Sequence, residues 1–213
     1  MPDRDELRRL PDAWTGNPME HSPVIGLDLG GTTMQARLMR GPTTKDRTIQ
    51  SATQADGGPD HVVDRLIALA RKACTQAHCP LDRCAGVGIA APGPLDSASG
   101  IVLQTVNLPG WEHVPLTERI SQALGLPAVL INDASAACFG EFRAGAGQGV
   151  GHLAMMTLGT GVGGGLIIDG RLVTGEFGHG AELGHMIVHP EGRRCGCGQC
   201  GCLEVYAGGL SLE

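Results

Sequence analysis

One hairpin pattern occurs twice in this chain, and the repeat constrains the fold more than any other feature. Residues 24–39 form two apolar strands around the turn Gly30-Gly31-Thr32. Residues 152–168 repeat the arrangement around Gly159-Thr160-Gly161. Because two copies of one supersecondary unit indicate a duplicated architecture, we predict two similar domains that face each other across a cleft.

Strands and helices are also predicted in the segments between the two hairpins. Apolar residues at helical spacing predict a helix from Asp60, its expected N-cap, to Cys74. Buried strands are predicted at 85–90 and 128–131, and Asp133 opens the next helix.

The predicted organisation is a flexible N-terminal arm over residues 1–22 and two domains, 23–132 and 133–213. The arm is polar and contains Pro2, Pro11 and Pro18. The boundary is placed where the strand before Asp133 ends.

Charge and composition exclude several classes of protein. The 213 residues carry a net charge of −6, with two Trp, one Tyr and three Phe, whereas nucleic-acid binding needs a basic surface or stacking rings. No apolar run approaches the ~20 residues of a membrane helix, and the N-terminus does not resemble a signal peptide. We therefore predict a cytoplasmic protein with no nucleic-acid or membrane partner.

Four of the eight cysteines fall within eight positions, close after His185 and His189. They are Cys195, Cys197, Cys200 and Cys202. In a reducing cytoplasm, thiolates and imidazoles this close are typical of a tetrahedral Zn²⁺ site. A disulfide pair or inert thiols are the alternative.

The two glycine turns are candidate phosphate sites. The bare amides of Gly30 and Gly31, with the Thr32 hydroxyl, can bind phosphate oxygens, and Asp28 can hold hydrated Mg²⁺. A plain hairpin end is the alternative, but the matching turn at 159–161 favours a polyphosphate held from both sides. The pattern is neither a Walker A loop nor a Rossmann fingerprint.

Five polar side chains have the chemistry to bind or activate hydroxyl groups. Asp133 can accept the proton of a substrate hydroxyl during phosphoryl transfer, and Asn132 can hold a hydroxyl; a simple N-cap is the alternative for Asp133. Glu182, His185 and Glu204 flank the cysteines and can bind adjacent hydroxyls, unless the carboxylates are merely solvated surface groups.

Seven motifs, in this order along the chain, resemble the ROK family of repressors and sugar kinases, and most of all its bacterial glucokinases. The motifs are Asp28-Leu-Gly-Gly-Thr32, Ala91-Pro-Gly-Pro94, Asn107-Leu-Pro-Gly-Trp111, Asn132-Asp133-Ala134, Leu158-Gly-Thr-Gly-Val-Gly-Gly164, Glu182-Leu-Gly-His185 and Cys195-Gly-Cys-Gly-Gln-Cys-Gly-Cys-Leu-Glu204. The last two are the most specific.

The resemblance implies an actin-like ATPase (ribonuclease H-like) fold of two α/β domains around a cleft. It also implies transfer of the ATP γ-phosphate to a hexose, most simply glucose at O6, at the start of glycolysis. It implies Asp133 as the catalytic base and the two turns as phosphate clamps. The implied sugar-binding residues are Asn132, Asp133, Glu182, His185 and Glu204. The implied ligands of a structural Zn²⁺ are His185, Cys195, Cys197 and Cys202.

Two features depart from the family pattern. Cys200 is an extra thiol that spacing alone does not exclude as a ligand. Family members also continue beyond the cysteine motif, whereas this chain stops at Glu213. We therefore expect an incomplete second domain, an uncovered apolar face, an incomplete nucleotide site, and a homodimer only when the missing part is present.

Two other functions remain open. A ROK-type transcriptional regulator would carry an N-terminal helix-turn-helix, but only 23 residues precede Val24. A truncated remnant would bind sugar without transferring phosphate. The hexose and the choice between ATP and polyphosphate as donor are also left open.

Overall fold

The computed structural model describes residues 22–41, 46–105, 108–176 and 178–209. The predicted arm and Asn107 lie outside these residues, apart from Ser22. The chain forms two compact units that divide between Asp133 and Ala134, one residue after the predicted boundary. None of the helices in the described ranges has the length and apolar character needed to cross a membrane.

The first unit is built around a five-stranded sheet in the order β3-β2-β1-β4-β8. A small three-stranded sheet in the order β5-β6-β7 follows β4 along the chain. The strands are β1 Val24–Leu29, β2 Thr33–Met39, β3 Ile49–Ala52, β4 Gly86–Ala91, β5 Leu95–Asp96, β6 Ile101–Gln104, β7 Glu112–Val114 and β8 Ala128–Asn132, and the helices are α1 Gly58–Gln76 and α2 Leu116–Leu124.

Alternating burial explains the register of the large sheet. Ile25, Leu27 and Leu29 of β1 point into the core, while the residues between them are only half-buried. The core face of α1 covers this side of the sheet with apolar residues at helical spacing. β1 pairs antiparallel with β2 but parallel with β4, and β4 pairs parallel with β8. The carboxyl ends of three strands therefore lie at one edge.

The predicted N-cap of α1 was wrong by three positions. The helix begins at Gly58, with Gly57 as its N-cap and a proline in its first turn. Proline at this position has a φ already suited to a helix, so the helix starts before Asp60. The Asp60 carboxylate instead accepts a hydrogen bond of 2.8 Å from Arg119.

The second unit contains a three-stranded sheet in the order β11-β10-β9. Its elements are α3 Asp133–Ala144, whose first residue is the last of the first unit, β9 Leu153–Leu158, β10 Val162–Ile168, β11 Arg171–Leu172 and α4 Glu204–Ala207. A tight Asp-Gly turn joins β10 to β11, with φ of 50° at Asp169 and 73° at Gly170. α3 packs directly on β10, because a Cβ on Gly165 would lie 2.2 Å from that of Cys138.

One apolar face of the second unit is exposed. Among the described residues, β9 pairs only with β10, whereas its counterpart β1 has a strand on each side. Met156 is 46% exposed, Leu158 71% and Ile168 45%, whereas Leu29 of β1 is completely buried. An uncovered apolar face was the expectation from the sequence.

Candidate functional site

The first group of candidate residues lies at the carboxyl edge of the five-stranded sheet. Asp28 is the penultimate residue of β1, Asn132 ends β8 and Asp133 begins α3. In open α/β sheets, ligands bind outside the carboxyl ends of the strands. The parallel pairing of β1, β4 and β8 thus gathers residues that are about a hundred positions apart.

Asn132 holds the Asp133 carboxylate by donating a hydrogen bond of 3.0 Å from Nδ2 to Oδ1. Asp133 is exposed and Asn132 is half-buried. A negative charge is favoured at the start of a helix, where backbone N–H groups have no intrahelical partner. Asp133 is therefore an oriented and accessible carboxylate, as proton acceptance from a hydroxyl requires.

Asp28 lies close enough to Asp133 for the two carboxylates to repel each other. Burial, and secondarily the charge of Asp133, raises the pKa of Asp28 above its ordinary 3.8. Two neighbouring carboxylates at the end of a sheet suit a hydrated divalent cation, which would relieve the repulsion.

Asp28→Asn is expected to stabilise the chain at pH 7 in the absence of Mg²⁺ and nucleotide. A raised carboxyl pKa in the folded state means that stability is lost as pH rises through that pKa. The neutral amide avoids this loss, so the melting temperature of the variant should exceed that of the wild type by a few degrees at pH 7. Below pH 3.8 the two melting temperatures should differ little. Thermal unfolding at both pH values measures this, and an equal shift at both would refute the electrostatic cause.

The first glycine turn is fixed by Thr53, a residue that the sequence interpretation did not single out. Thr53 is completely buried, and its hydroxyl donates to the Gly30 carbonyl at 2.6 Å. Its backbone N–H donates to the Thr32 carbonyl at 2.8 Å. A Cβ on Gly30 would lie 2.8 Å from the Thr33 carbonyl oxygen, so the turn requires glycine there.

The second glycine turn is fixed by Glu204. Its Oε2 accepts a hydrogen bond of 3.0 Å from the backbone N–H of Val162. A Cβ on Gly161 would lie 2.3 Å from the same oxygen. The Gly209 N–H donates to the Gly159 carbonyl at 2.7 Å. Glu204 is thus placed against the turn, a contact that its position in the sequence did not reveal.

Four side chains of the second unit converge as a possible metal site. Their ligand atoms all lie within 4.8 Å of one another, and they are His185, Cys195, Cys197 and Cys202. The Sγ atoms of Cys197 and Cys202 are 3.7 Å apart, and Cys195 Sγ is 3.7 Å from His185 Nδ1. A tetrahedral Zn²⁺ with 2.3 Å bonds to sulfur would separate two sulfurs by about 3.8 Å, so this donor set fits zinc.

Local backbone geometry and electrostatics also favour a cation here. Gly198 and Gly201 have φ of 95° and 81°, which allows the short loop to bend between its cysteines. Burial and the neighbouring thiols raise the pKa of Cys202 to about 12. A hydrogen bond from the Gln199 backbone lowers the pKa of Cys197. A cation would supply the charge needed to deprotonate the buried Cys202 thiol.

Two candidate ligands lie outside this group. Cys200 is exposed and forms a bridge with Arg194 in the backbone. The His189 ring stacks on Tyr206 at a centroid distance of 6.5 Å. Sequence spacing alone does not show whether Cys200 or Cys202, or His189 or His185, belongs to the metal site. The folded loop brings only Cys202 and His185 into the group.

The remaining sugar-site candidates border the cysteine group. Cys195 Sγ donates to Glu204 Oε1 at 3.8 Å, so Glu204 contacts both the cysteines and the second turn. Glu182 is exposed, and its carbonyl accepts a hydrogen bond from the His185 N–H at 3.0 Å. The candidates therefore form one group in each unit, with Asp28, the first turn, Asn132 and Asp133 in the first.

Residues 24–213 match the ROK family. The chain belongs to this family. It is 39% identical over 190 residues to a glucokinase of Thermotoga maritima, covering 89% of this chain and 58% of that protein. It is 34% identical over 189 residues to an N-acetylmannosamine kinase of Salmonella arizonae, covering 89% of this chain and 62% of that protein.

Solved ROK structures share the fold. A ROK hexokinase from Thermus thermophilus matches with a TM-score of 0.80 and 38% identity, over 90% of this chain and 62% of the other. A ROK glucokinase from Streptomyces griseus, solved with glucose and AMPPNP, matches with a TM-score of 0.77 and 40% identity, over 89% and 58%. The predicted α/β, actin-like ATPase fold is confirmed, and the chain spans just under 60% of the length of the glucokinases it matches.

Proposed function

We propose that this chain carries the hexose-phosphorylating site of a ROK sugar kinase, with glucose as the substrate and ATP as the donor. The observation that carries the proposal is the Asp133 carboxylate, which is oriented by Asn132 at the same sheet edge as Asp28 and the first glycine turn. Acidic groups and glycine amides at one edge suit phosphoryl transfer, which depends on positioning and charge stabilisation.

In this proposal, Asp133 accepts the proton of the attacking hydroxyl, and the Asn132 amide orients that hydroxyl. Gly30, Gly31 and Thr32 bind phosphate oxygens through N–H and hydroxyl donors, and Gly159, Thr160 and Gly161 do so from the second unit. Asp28 would hold hydrated Mg²⁺, which supplies positive charge for the transferring phosphoryl group.

The second unit is proposed to bind the sugar through Glu182, His185 and Glu204. His185 Nδ1 faces Cys195, so a metal bound there would leave Nε2 as the nitrogen for a sugar hydroxyl. Three cysteines and one histidine complete a tetrahedron without an open position, so the Zn²⁺ we propose is structural.

The similar proteins favour glucose as the sugar and ATP as the phosphoryl donor in this proposal. Glucokinases and an N-acetylmannosamine kinase are both similar to this chain, and the somewhat higher identity favours glucose. AMPPNP in the Streptomyces griseus structure favours ATP. A polyphosphate/ATP-glucomannokinase from Arthrobacter, 28% identical with a TM-score of 0.69, makes polyphosphate the second donor to test.

A panel of hexoses and donors tests this function. The 213-residue chain and a chimera that adds the part of the Thermotoga maritima glucokinase it does not span are assayed with glucose, mannose and N-acetylmannosamine, each with ATP or polyphosphate. We expect ATP-dependent phosphorylation of glucose, fastest in the chimera. Preference for N-acetylmannosamine would revise the substrate, and no transfer to any sugar would refute the function.

Sugar binding without phosphoryl transfer is the second candidate, because two proposed sugar-binding residues, His185 and Glu204, are grouped beside Cys195 in the second unit. Separate calorimetric titrations with glucose and with ATP discriminate it, since only glucose would then bind. A ROK transcriptional regulator also matches, at 28% identity and a TM-score of 0.71. Sequence-specific retention of DNA at physiological salt would favour that class. The proposed cytoplasmic location and conditional homodimer stand as further proposals.

A further inference from the structure

The back of the cysteine loop, residues 189–202, rests on Tyr206. This is the only tyrosine of the chain, and it follows Glu204 on α4. Its hydroxyl oxygen accepts a hydrogen bond of 2.9 Å from the Arg193 backbone N–H. A Cβ on Gly192 would lie 1.8 Å from the same oxygen, so the loop backbone passes directly over the phenol.

The side chains of Arg193 and His189 also contact Tyr206. The Arg193 guanidinium lies 5.5 Å from the centre of the Tyr206 ring, and its Nη1 donates to the Val205 carbonyl at 3.3 Å. The His189 ring stacks against the same tyrosine, with 26° between the ring planes. Both ends of the segment 189–193 are therefore attached to α4 by groups outside the proposed metal site.

The backbone of Arg193 connects Tyr206 to the cysteines of the proposed metal site. Its carbonyl accepts a hydrogen bond of 2.8 Å from the Gly201 N–H, one residue before Cys202. Cys195 follows Arg193 by two residues in the sequence. A Cβ on Gly201 would lie 1.7 Å from the His189 carbonyl oxygen, so the two arms of the loop are in close backbone contact.

We propose that Tyr206 is a positioning residue that pre-organises the cysteine loop for metal, by fixing the backbone at Arg193 and hence the sulfurs of Cys195 and Cys202. The inference rests on the proposed metal site but concerns a residue that is not a ligand. A loop already held in the binding geometry loses less conformational freedom when the ion binds, so its affinity is higher.

Tyr206→Phe removes only the hydroxyl. The affinity for Zn²⁺ is expected to fall about 2- to 12-fold, which is the effect of one lost hydrogen bond. Competition with a chromophoric chelator on the whole 213-residue chain measures the Kd. His152→Ala is the matched control, because it removes a side-chain acceptor of the Asp169 N–H elsewhere in the second unit. Its Kd should equal that of the wild type.

Gly192→Ala provides a second and independent variant. The added methyl is forced against the Tyr206 hydroxyl, so it should weaken Zn²⁺ binding more in the wild-type background than in the Tyr206→Phe background. Co²⁺ substitution gives a spectroscopic readout, since its d–d bands should keep a tetrahedral form in Tyr206→Phe while saturating at higher Co²⁺.

These experiments distinguish failure of the proposed Tyr206 role from failure of the proposed metal site. If the wild type binds Zn²⁺ and Cys197→Ser does not, but Tyr206→Phe matches His152→Ala, the positioning role is refuted and the metal site stands. Equal effects of Gly192→Ala in both backgrounds would refute the role as well. If the wild type binds no Zn²⁺, both proposals fail.

Discussion

Asp133→Asn is expected to lower kcat/KM for hexose phosphorylation by about 10²- to 10⁴-fold, the usual contribution of a positioned general base. The amide keeps the size of the side chain but does not accept the proton of the attacking hydroxyl. Hexose affinity should change much less, because the substitution leaves the other proposed sugar-binding side chains in place. Initial rates and a glucose titration of the chimera measure both effects.

Asp64→Asn is the matched control for this change. Asp64 is an exposed aspartate on α1 with no role in the proposed site, so its substitution removes the same charge and should leave the rate unchanged. Thermal unfolding of both variants checks that each is folded. A rate within threefold of the wild type for Asp133→Asn would contradict its role as the base.

Cys197→Ser is expected to remove the metal and loosen the second unit, whereas Cys200→Ser should do neither. Both thiols are exposed in the same loop, but only Cys197 belongs to the convergent group. A structural Zn²⁺ contributes apparent binding energies of about 10–16 kcal/mol in small zinc domains, and this energy stabilises the folded state. Metal content by mass spectrometry and the thermal unfolding of each variant measure the difference.

Loss of the metal should also weaken glucose binding by about tenfold or more, the effect of losing one hydrogen bond to a charged group. Glu204 contacts Cys195 and the Val162 amide together, so movement of the loop would move this carboxylate. Treating the wild type with a strong chelator should reproduce the Cys197→Ser result. Unchanged glucose affinity in both samples would show that the metal does not organise the sugar site.

Short-range patterns made much of this fold predictable. Apolar strands and glycine turns located both hairpins, and the strand before Asp133 placed this residue at the junction of a strand and a helix. Asp-Gly is also typical of a tight hairpin turn, and both Asp169 and Gly170 have a positive φ. These features depend on residues within a few positions of one another, where local sterics decide the conformation.

Contacts between distant segments were not predictable in this way. Thr53 fixes a turn more than twenty residues upstream, and Glu204 fixes one more than forty residues upstream. Their sequence neighbourhoods carry no signal of these partners, because only the folded backbone brings them together. The contact between Tyr206 and Arg193 was not predictable for the same reason. For Asp60, the local rule for N-caps was outweighed by the proline before it.

The most direct test of the whole account is ³¹P NMR of the chimera with Mg²⁺, ATP and glucose. The account predicts ADP together with an equal amount of a phosphate monoester whose resonance coincides with added glucose 6-phosphate, and neither product when Asp133 is replaced by Asn. Release of inorganic phosphate without a sugar phosphate, or an undiminished sugar phosphate signal in Asp133→Asn, would contradict it.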